Sequence, residues 1–218
     1  MWYNKGVRKK EIRRIMKLLV LDTETLGVFD PSVYDLGYII YDTDLDKIVV
    51  ARDYITQEIY DNPKKMKSAY YANKLPIYEN RLASGYCKKI KWAYALRVLQ
   101  RDMNKYGVEA LYAYNSAFDT RAIAKTCELL RAKNPTACGI CDIWKGLTDP
   151  HITETQEYQE FCKVNGFMTK HKKPKCQAKA ETLYRYLTQQ VDYEEEHTAL
   201  EDSKIELAIL LKALEMRA

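Results

Sequence analysis

The chain has 218 residues, of which 47% are hydrophobic, and a formal net charge of +5. This length fits one large domain, or one domain with a small extension, and the composition supplies a real core. No apolar run approaches the length of a membrane span and the N-terminus lacks a signal-peptide pattern, so no membrane association is expected; the six cysteines do not form a short secreted framework and fit a reduced, cytoplasmic compartment.

The charge is unevenly laid out. Residues 1–17 carry seven Lys/Arg against Glu11 alone, and residues 63–105 carry eleven against Glu79 and Asp102, so the remainder is acidic. Segregation of this kind points to a polyanionic partner on one side of the molecule, or else to basic helices that are simply solvated. Met16-Lys17 runs straight into the first apolar segment. Residues 1–15 therefore read as a basic extension, either an arm that grips a substrate or an addition dispensable to the fold, ahead of a single domain over 16–218.

In chain order, Lys17-Leu-Leu-Val-Leu21 followed by Asp22-Thr23-Glu24 reads as a buried central strand that ends by delivering two carboxylates. Side chains alternate along a strand, so Asp22 and Glu24 share a face, where their mutual repulsion calls for a cation. Hard oxygen ligands suit Mg²⁺ or Mn²⁺. A turn over 27–32 leads to strands over 33–42 and 47–55, whose short connection predicts an antiparallel meander. Helices are expected over 64–83 and 88–105, the second with Trp92, Ala95, Leu96 and Leu99 on one face. A strand over 108–114 turns at Asn115-Ser116 into a helix over 117–131, and Asn134-Pro135 precedes a short strand over 138–144. A helix over 154–164, a basic loop over 170–179, and helices over 180–188 and 198–215 complete the chain. The sum is an α/β fold: a mixed five-stranded sheet, three strands in an antiparallel meander plus parallel strands, flanked by helices.

The strand over 108–114, reached by a helical crossover, would run parallel to the first and end beside Asp22 and Glu24. Asp119 stands just past it, in Tyr114-Asn115-Ser116-Ala117-Phe118-Asp119, at the mouth of a helix, a place that also suits an ordinary first-turn acid. Thr198-Ala199-Leu200-Glu201 has capping-box form and starts the last helix. Asp202, Ile205 and Ile209 then fall on one face, and an acid aligned with core isoleucines needs a cation or a donor. His197 precedes that helix by one residue; the run Glu194-Glu195-Glu196 before it reads as a solvated loop. A histidine of near-neutral pKa beside a metal site is suited to take a proton from water.

Taken together, Asp22-Thr-Glu-Thr-Leu-Gly, Tyr114-Asn-Ser-Ala-Phe-Asp119 and His197-Thr-Ala-Leu-Glu-Asp202 resemble the three motifs of the DEDDh exonuclease superfamily, which includes the proofreading subunit of bacterial DNA polymerase III and ribonuclease T. The resemblance runs from residue 22 to 202, nearly the whole chain. It implies an RNase H-like fold and metal-dependent 3′→5′ hydrolysis of nucleic acid, most simply of single-stranded DNA, releasing nucleoside 5′-monophosphates. A 3′→5′ exoribonuclease is the alternative, and a non-catalytic nucleic-acid-binding module a more distant one. It further implies that Asp22, Glu24, Asp119 and Asp202 hold two Mg²⁺ or Mn²⁺ ions and that His197 is the general base. By the same resemblance the backbone around Thr23 and Thr25 meets the terminal 3′-hydroxyl, Asn115 belongs to the substrate site, and Leu26 and Phe118 pack on the last bases, Phe118 having plain core as its alternative. The expected partner is nucleic acid with a free 3′ end, with a DNA polymerase or other replication proteins as further partners. Tyr114 stands where many relatives have His, and Leu26 where Thr is common; neither departure removes a ligand.

Two stretches are expected to grip the strand: Lys64, Lys65, Lys67, Tyr70, Tyr71 and Lys74, and the loop from Lys170 to Lys175. Lysine contributes phosphate affinity without reading sequence, and tyrosine offers a stacking face. Cys138 and Cys141, with Cys162 and Cys176 or His171, are a weaker alternative as a zinc site, because their spacing is irregular.

Overall fold

The computed structural model describes residues 16–149 and 151–217; the basic extension over 1–15 lies outside the described residues. A mixed sheet of six strands, not five, forms the centre, in the order β4-β3-β2-β1-β5-β6. Strands β1 (Lys17–Thr25), β2 (Val33–Asp42) and β3 (Lys47–Thr56) form the expected antiparallel meander. Strand β5 (Ala110–Ala113) lies parallel to β1, with Val20 opposite Tyr112, and β6 (Cys141–Asp142) lies parallel to β5.

The additional strand, β4 (Lys88–Ile90), pairs parallel to β3 at the sheet edge, where the sequence reading expected the start of a helix. Its lysines lie exposed, and lysine on an edge strand both blocks further pairing and mimics a helical surface in composition. Helix α4 (Trp92–Tyr106) begins just after it, with the Trp92 N–H capped by Glu58 Oε2 at 3.0 Å. The single helix expected over 64–83 is in fact broken. Short helices α1 (Gln57–Tyr60) and α2 (Pro63–Lys67) and a 3₁₀ turn at Ala72–Lys74 precede α3 (Leu75–Ala83). Pro63 and Pro76 explain the breaks: each sits in the first turn of a new helix, where its missing N–H costs nothing. The strand expected over 138–144 shrinks to β6, and the chain continues into a π-helical turn at Trp144–Thr148.

Helices α5 (Ala117–Leu130), α6 (Gln156–Val164), α7 (Ala180–Thr188) and α8 (Ala199–Arg217) follow. Alternation along β1 sorts the core. Leu19 and Leu21 join Trp92, Leu96 and Leu99 of α4 and Ala122 and Ile123 of α5 on one face. Leu18 and Val20 join Tyr158 of α6, Leu183 of α7 and Ile205 and Ile209 of α8 on the other. The even-numbered positions therefore lead on to Asp22 and Glu24 on the α8 face, and Thr23 faces α5. A third cluster sets Leu26, Tyr34 and Ile55 against Ile59, Met66, Ala69 and Tyr78, seating the 57–87 segment beside the end of β1.

Gly37 of β2 lies directly opposite Asp22 in the pairing. A Cβ there would stand 2.2 Å from both the Ala199 carbonyl carbon and the Leu200 nitrogen. The missing side chain lets the start of α8 press against the sheet next to the carboxylates of β1. Among the described residues no helix is long and apolar enough to cross a membrane.

Candidate active site

At the C-terminal end of β1 opens a cleft of about 1390 Å³. Asp22, Glu24, Asp119, Asp202 and His197 all border it, so the structure gathers on one cleft the five residues singled out from three distant motifs. Glu24, His197 and Asp202 come closest: one ligand atom from each lies within 4.8 Å of the others, the only such group of three or more among the described residues. Asp22 and Asp119 border the same cleft outside that tight group. Asp119 stands in the first turn of α5, buried, and its Oδ1 accepts the Thr23 hydroxyl at 2.7 Å. The odd register of β1 thus holds Asp119, and the even register presents Asp22 and Glu24.

Burial is the largest influence on every one of these carboxyls. Asp22 is pushed well up by burial and then by the nearby charges of Asp119 and Asp202. Glu24 rises for the same reason, with Asp22 and Asp202 as its neighbours. Asp119 is pushed to about 7 by burial, against the lowering effect of the Thr23 hydroxyl. Asp202 is pushed to about 9 by burial and by Glu195 and Asp35. Such a cluster ionises together only when positive charge offsets it. The fit to a divalent ion is good on two further grounds. Carboxylate oxygens suit Mg²⁺ or Mn²⁺, and Asp202 Oδ1 is buried with no hydrogen-bond partner, an acceptor left for a cation.

His197 is half-buried between α7 and α8, with its Nδ1 3.5 Å from Glu195 Oε2 and 4.0 Å from Asp202 Oδ2. Burial lowers its pKa, and Lys74 and Lys179 add to the effect against the opposing charge of Glu181, a balance that favours the neutral ring. The capping box expected from Thr198 and Glu201 does not form. The Thr198 hydroxyl is buried without a partner, Glu201 turns to Lys204 and Tyr86, and the Ala199 N–H is taken by Asp35 Oδ2 at 2.9 Å. A buried acid on the neighbouring strand caps the helix in place of a local side chain.

Of the remaining expected residues, Thr23, Thr25, Asn115 and Phe118 border the cleft. Leu26 does not; its side chain belongs to the third core cluster, and Gly27 and Val28 take the wall beside it. Phe118 is half-buried rather than plain core. His171, Lys172, Lys173, Lys175 and Lys179 line the cleft, and so do Tyr70 and Tyr71. Lys64, Lys65, Lys67 and Lys74 do not line the cleft, whereas Tyr70 and Tyr71 of the same stretch do. Cys138 and Cys141 are exposed while Cys162 is buried, and the cysteines form no metal-ligating group among the described residues.

Three acids on the cleft, Glu181, Glu195 and Glu206, were missed in the sequence. Glu206, four residues after Asp202 and so on the same face of α8, is buried, accepts the Tyr114 N–H at 3.0 Å and is pushed well up by burial, Asp22 and Asp119. Glu195 is only half-exposed, contrary to the solvated loop expected, and burial raises it to about 7. The +4 spacing was a signal for Glu206; nothing in an acidic run distinguished Glu195.

No protein-family model and no curated protein matches the chain. Solved structures do. The nuclease domain of 3′hExo, a DEDDh family member solved with rAMP bound, is similar with a TM-score of 0.63 and 14% identity, over 93% of this chain and 94% of that one. A 3′-exonuclease in a structure of 3′-end-specific recognition of a histone mRNA stem-loop is similar with a TM-score of 0.60 and 16% identity, over 93% of this chain and 64% of that one. A full-length 3′-exonuclease gives a TM-score of 0.60 at 16% identity, and this chain spans 61% of its length. With its meander, its parallel β5 and its helices on both faces, the chain has the RNase H-like fold of a DEDDh-family nuclease domain.

Proposed function

We propose that the chain is a DEDDh-type 3′→5′ exonuclease that hydrolyses single-stranded nucleic acid from its 3′ end and releases nucleoside 5′-monophosphates. The observation that carries this reading is the convergence of Glu24, Asp202 and His197 within 4.8 Å at the end of β1, in the cleft that Asp22 and Asp119 also border. Asp22, Glu24, Asp119 and Asp202 would hold two Mg²⁺ or Mn²⁺ ions, which when bound supply charge stabilisation for the attacking and leaving oxygens of an in-line displacement.

The chain's own groups account for the rest. Neutral His197 at the cleft takes the proton of the attacking water. The water oxygen bonds to phosphorus, the bond to the 3′-oxygen of the penultimate nucleotide breaks, that oxygen takes a proton from solvent to become the new 3′-hydroxyl, and the 5′-phosphate leaves with the terminal nucleotide. Thr23 holds Asp119 in place through its hydroxyl, and Glu206 fixes the end of β5 by its bond to the Tyr114 N–H. The backbone from Thr23 to Thr25, Asn115 and Phe118 border the space for the terminal nucleotide, and Phe118 offers it a stacking face. Lys172, Lys173, Lys175 and Lys179 meet phosphates, which confers affinity without sequence preference. Six cysteines, all free, suit a reducing, cytoplasmic setting.

The simplest substrate expected from sequence was single-stranded DNA. RNA is the second reading, favoured by the similar structures described with rAMP and with a histone mRNA stem-loop. Digestion of matched single-stranded DNA, duplex DNA and RNA, each labelled at the 5′ end, tests both. The reading requires a ladder shortening from the 3′ end, dependent on Mg²⁺ or Mn²⁺, and the preferred sugar decides between DNA and RNA. Absence of any metal-dependent ladder on all three substrates would refute the exonuclease.

A further inference from the structure

His197 has a backbone conformation that side-chain-bearing residues adopt uncommonly. Its φ is +56°, in the left-handed region, within the irregular stretch between α7 and α8. That conformation costs on the order of 1 kcal/mol and persists only where the surroundings impose it. Residues of one segment, 69–86, remote in sequence and seated beside the end of β1, surround it together with Asp35 of β2 and Asp53 of β3.

Tyr71 lies flat on the His197 imidazole, with centroids 4.5 Å apart and planes 15° from parallel. The Tyr78 hydroxyl donates to Asp35 Oδ2 at 3.0 Å and reaches the His197 carbonyl at 3.4 Å. The same Asp35 oxygen accepts the Ala199 N–H, so one buried carboxylate ties Tyr78 to the residue two beyond His197. Arg81 grips the other side: Nη2 donates to Glu196 Oε2 at 3.0 Å, and Nη1 to Asp53 Oδ2 at 3.2 Å. The segment is itself anchored, since the Tyr70 N–H donates to the Leu26 carbonyl at 3.0 Å and Met66, Ala69 and Tyr78 are buried in the third core cluster. A strap bolted to the chain just past Glu24 thus holds the residues on both sides of His197 and the ring itself.

We propose that Tyr71 is a positioning residue for His197, fixing the tilt of the imidazole toward the cleft by face-to-face stacking, with Tyr78 and Arg81 holding the backbone beneath it. The proposal rests on the reading of His197 as the general base. It differs from a role for Tyr71 in stacking on substrate bases, because one face of the Tyr71 ring is taken by the imidazole and the Tyr70 ring packs against it with centroids 4.8 Å apart. Two flat rings in contact restrict rotation of both, and only a planar side chain at 71 reproduces that restriction.

The test compares Tyr71→Leu with Tyr71→Phe, alone and in a His197→Ala background, using a 5′-labelled single-stranded oligonucleotide. Tyr71→Leu lowers kcat about tenfold, a modest share of what misorientation of a catalytic group can cost, with KM and Mn²⁺ affinity changed less than about twofold. Tyr71→Phe recovers the rate, because it keeps the ring. In the His197→Ala background Tyr71→Leu adds no further loss, since its effect passes through the imidazole. An unchanged kcat in Tyr71→Leu, a Tyr71→Phe enzyme as slow as Tyr71→Leu, or the full loss persisting without His197 would each overturn the proposal. NMR of the His197 ring proton Hε1 gives a readout independent of activity. Its ring-current shift is present in wild type and Tyr71→Phe and disappears in Tyr71→Leu; a shift common to all three overturns the stacking role. An inactive wild type with that pattern intact would remove the exonuclease reading and leave the positioning of the ring standing.

Discussion

Asp202→Asn separates the cost of the acidic cluster from its purpose. Asp202 is 6% exposed, its Oδ1 has no partner, and its carboxyl is pushed up to about 9 by burial and by Glu195 and Asp35. In the unfolded chain the same group titrates near ~3.9. A carboxyl raised on folding contributes stability that is fully present below the unfolded pKa and is lost as pH rises toward the folded one. Between pH ~4 and about 9 the metal-free protein therefore loses stability through Asp202, and through Asp119 and Glu195 up to about 7. Asparagine stays neutral across this range. At pH 8 without metal, Asp202→Asn is expected to be more stable than wild type by about 1–3 kcal/mol, because the folded wild type must keep a proton on Asp202 that the unfolded chain releases, whereas asparagine carries no such cost. For a chain of this size that is about 2–10 °C in melting temperature.

Divalent ions reverse the order. An ion at a hundred times its Kd adds about 2.7 kcal/mol to the wild type, and the variant, missing one ligand, gains little. Thermal melting from pH 5 to 8.5, in EDTA and in Mg²⁺ or Mn²⁺, reads both effects. The reasoning fails if Asp202→Asn melts below wild type in EDTA at pH 8, or if neither ion shifts the wild type at any pH.

Removing Asp22 or Asp119 as alanine is expected to abolish cleavage of a labelled oligonucleotide while circular dichroism and melting show a folded protein; normal digestion by either variant would refute the metal-site assignment. His197→Ala is expected to lower kcat by about 10²–10⁴ with little change in KM, as fits loss of a general base, and an unaltered kcat would contradict that role. Gly37→Ala, whose Cβ would meet the Ala199 and Leu200 backbone at 2.2 Å, is expected to destabilise the fold by about 1–3 kcal/mol in urea titration; a wild-type midpoint would contradict the close approach of α8 to β2.

Much of this architecture was legible because β1 is both the centre of the sheet and the element that brings Asp22 and Glu24 to the cleft. Its apolar run followed by Asp22 and Glu24 set the strand and its face at once, and the meander followed from short polar turns. The helical pitch also placed Asp202 on the core face of α8, although the signal expected to start that helix was misread: a capping box is a local pattern, and the Ala199 N–H was claimed by Asp35 from β2. The 57–87 segment was misread for a related reason. Its lysines and tyrosines have helical composition, but Pro76 and the burial of Met66, Ala69 and Tyr78 against Leu26 and Ile55 fold it into a strap. That packing also withdraws Leu26 from the cleft. Glu195, Asp35 and Arg81 were invisible because their partners are distant in sequence, and no spacing along one element encodes a contact between Arg81 and Glu196.

The central claim is that folding brings four carboxylates onto one cleft in order to hold divalent ions. Anomalous diffraction from crystals soaked in Mn²⁺ tests it directly. The expected result is manganese peaks at the end of β1, within ~2.2 Å of oxygens of Asp22, Glu24 and Asp202. A soaked crystal with manganese bound only elsewhere, or with none in the cleft at saturating concentration, would contradict the account.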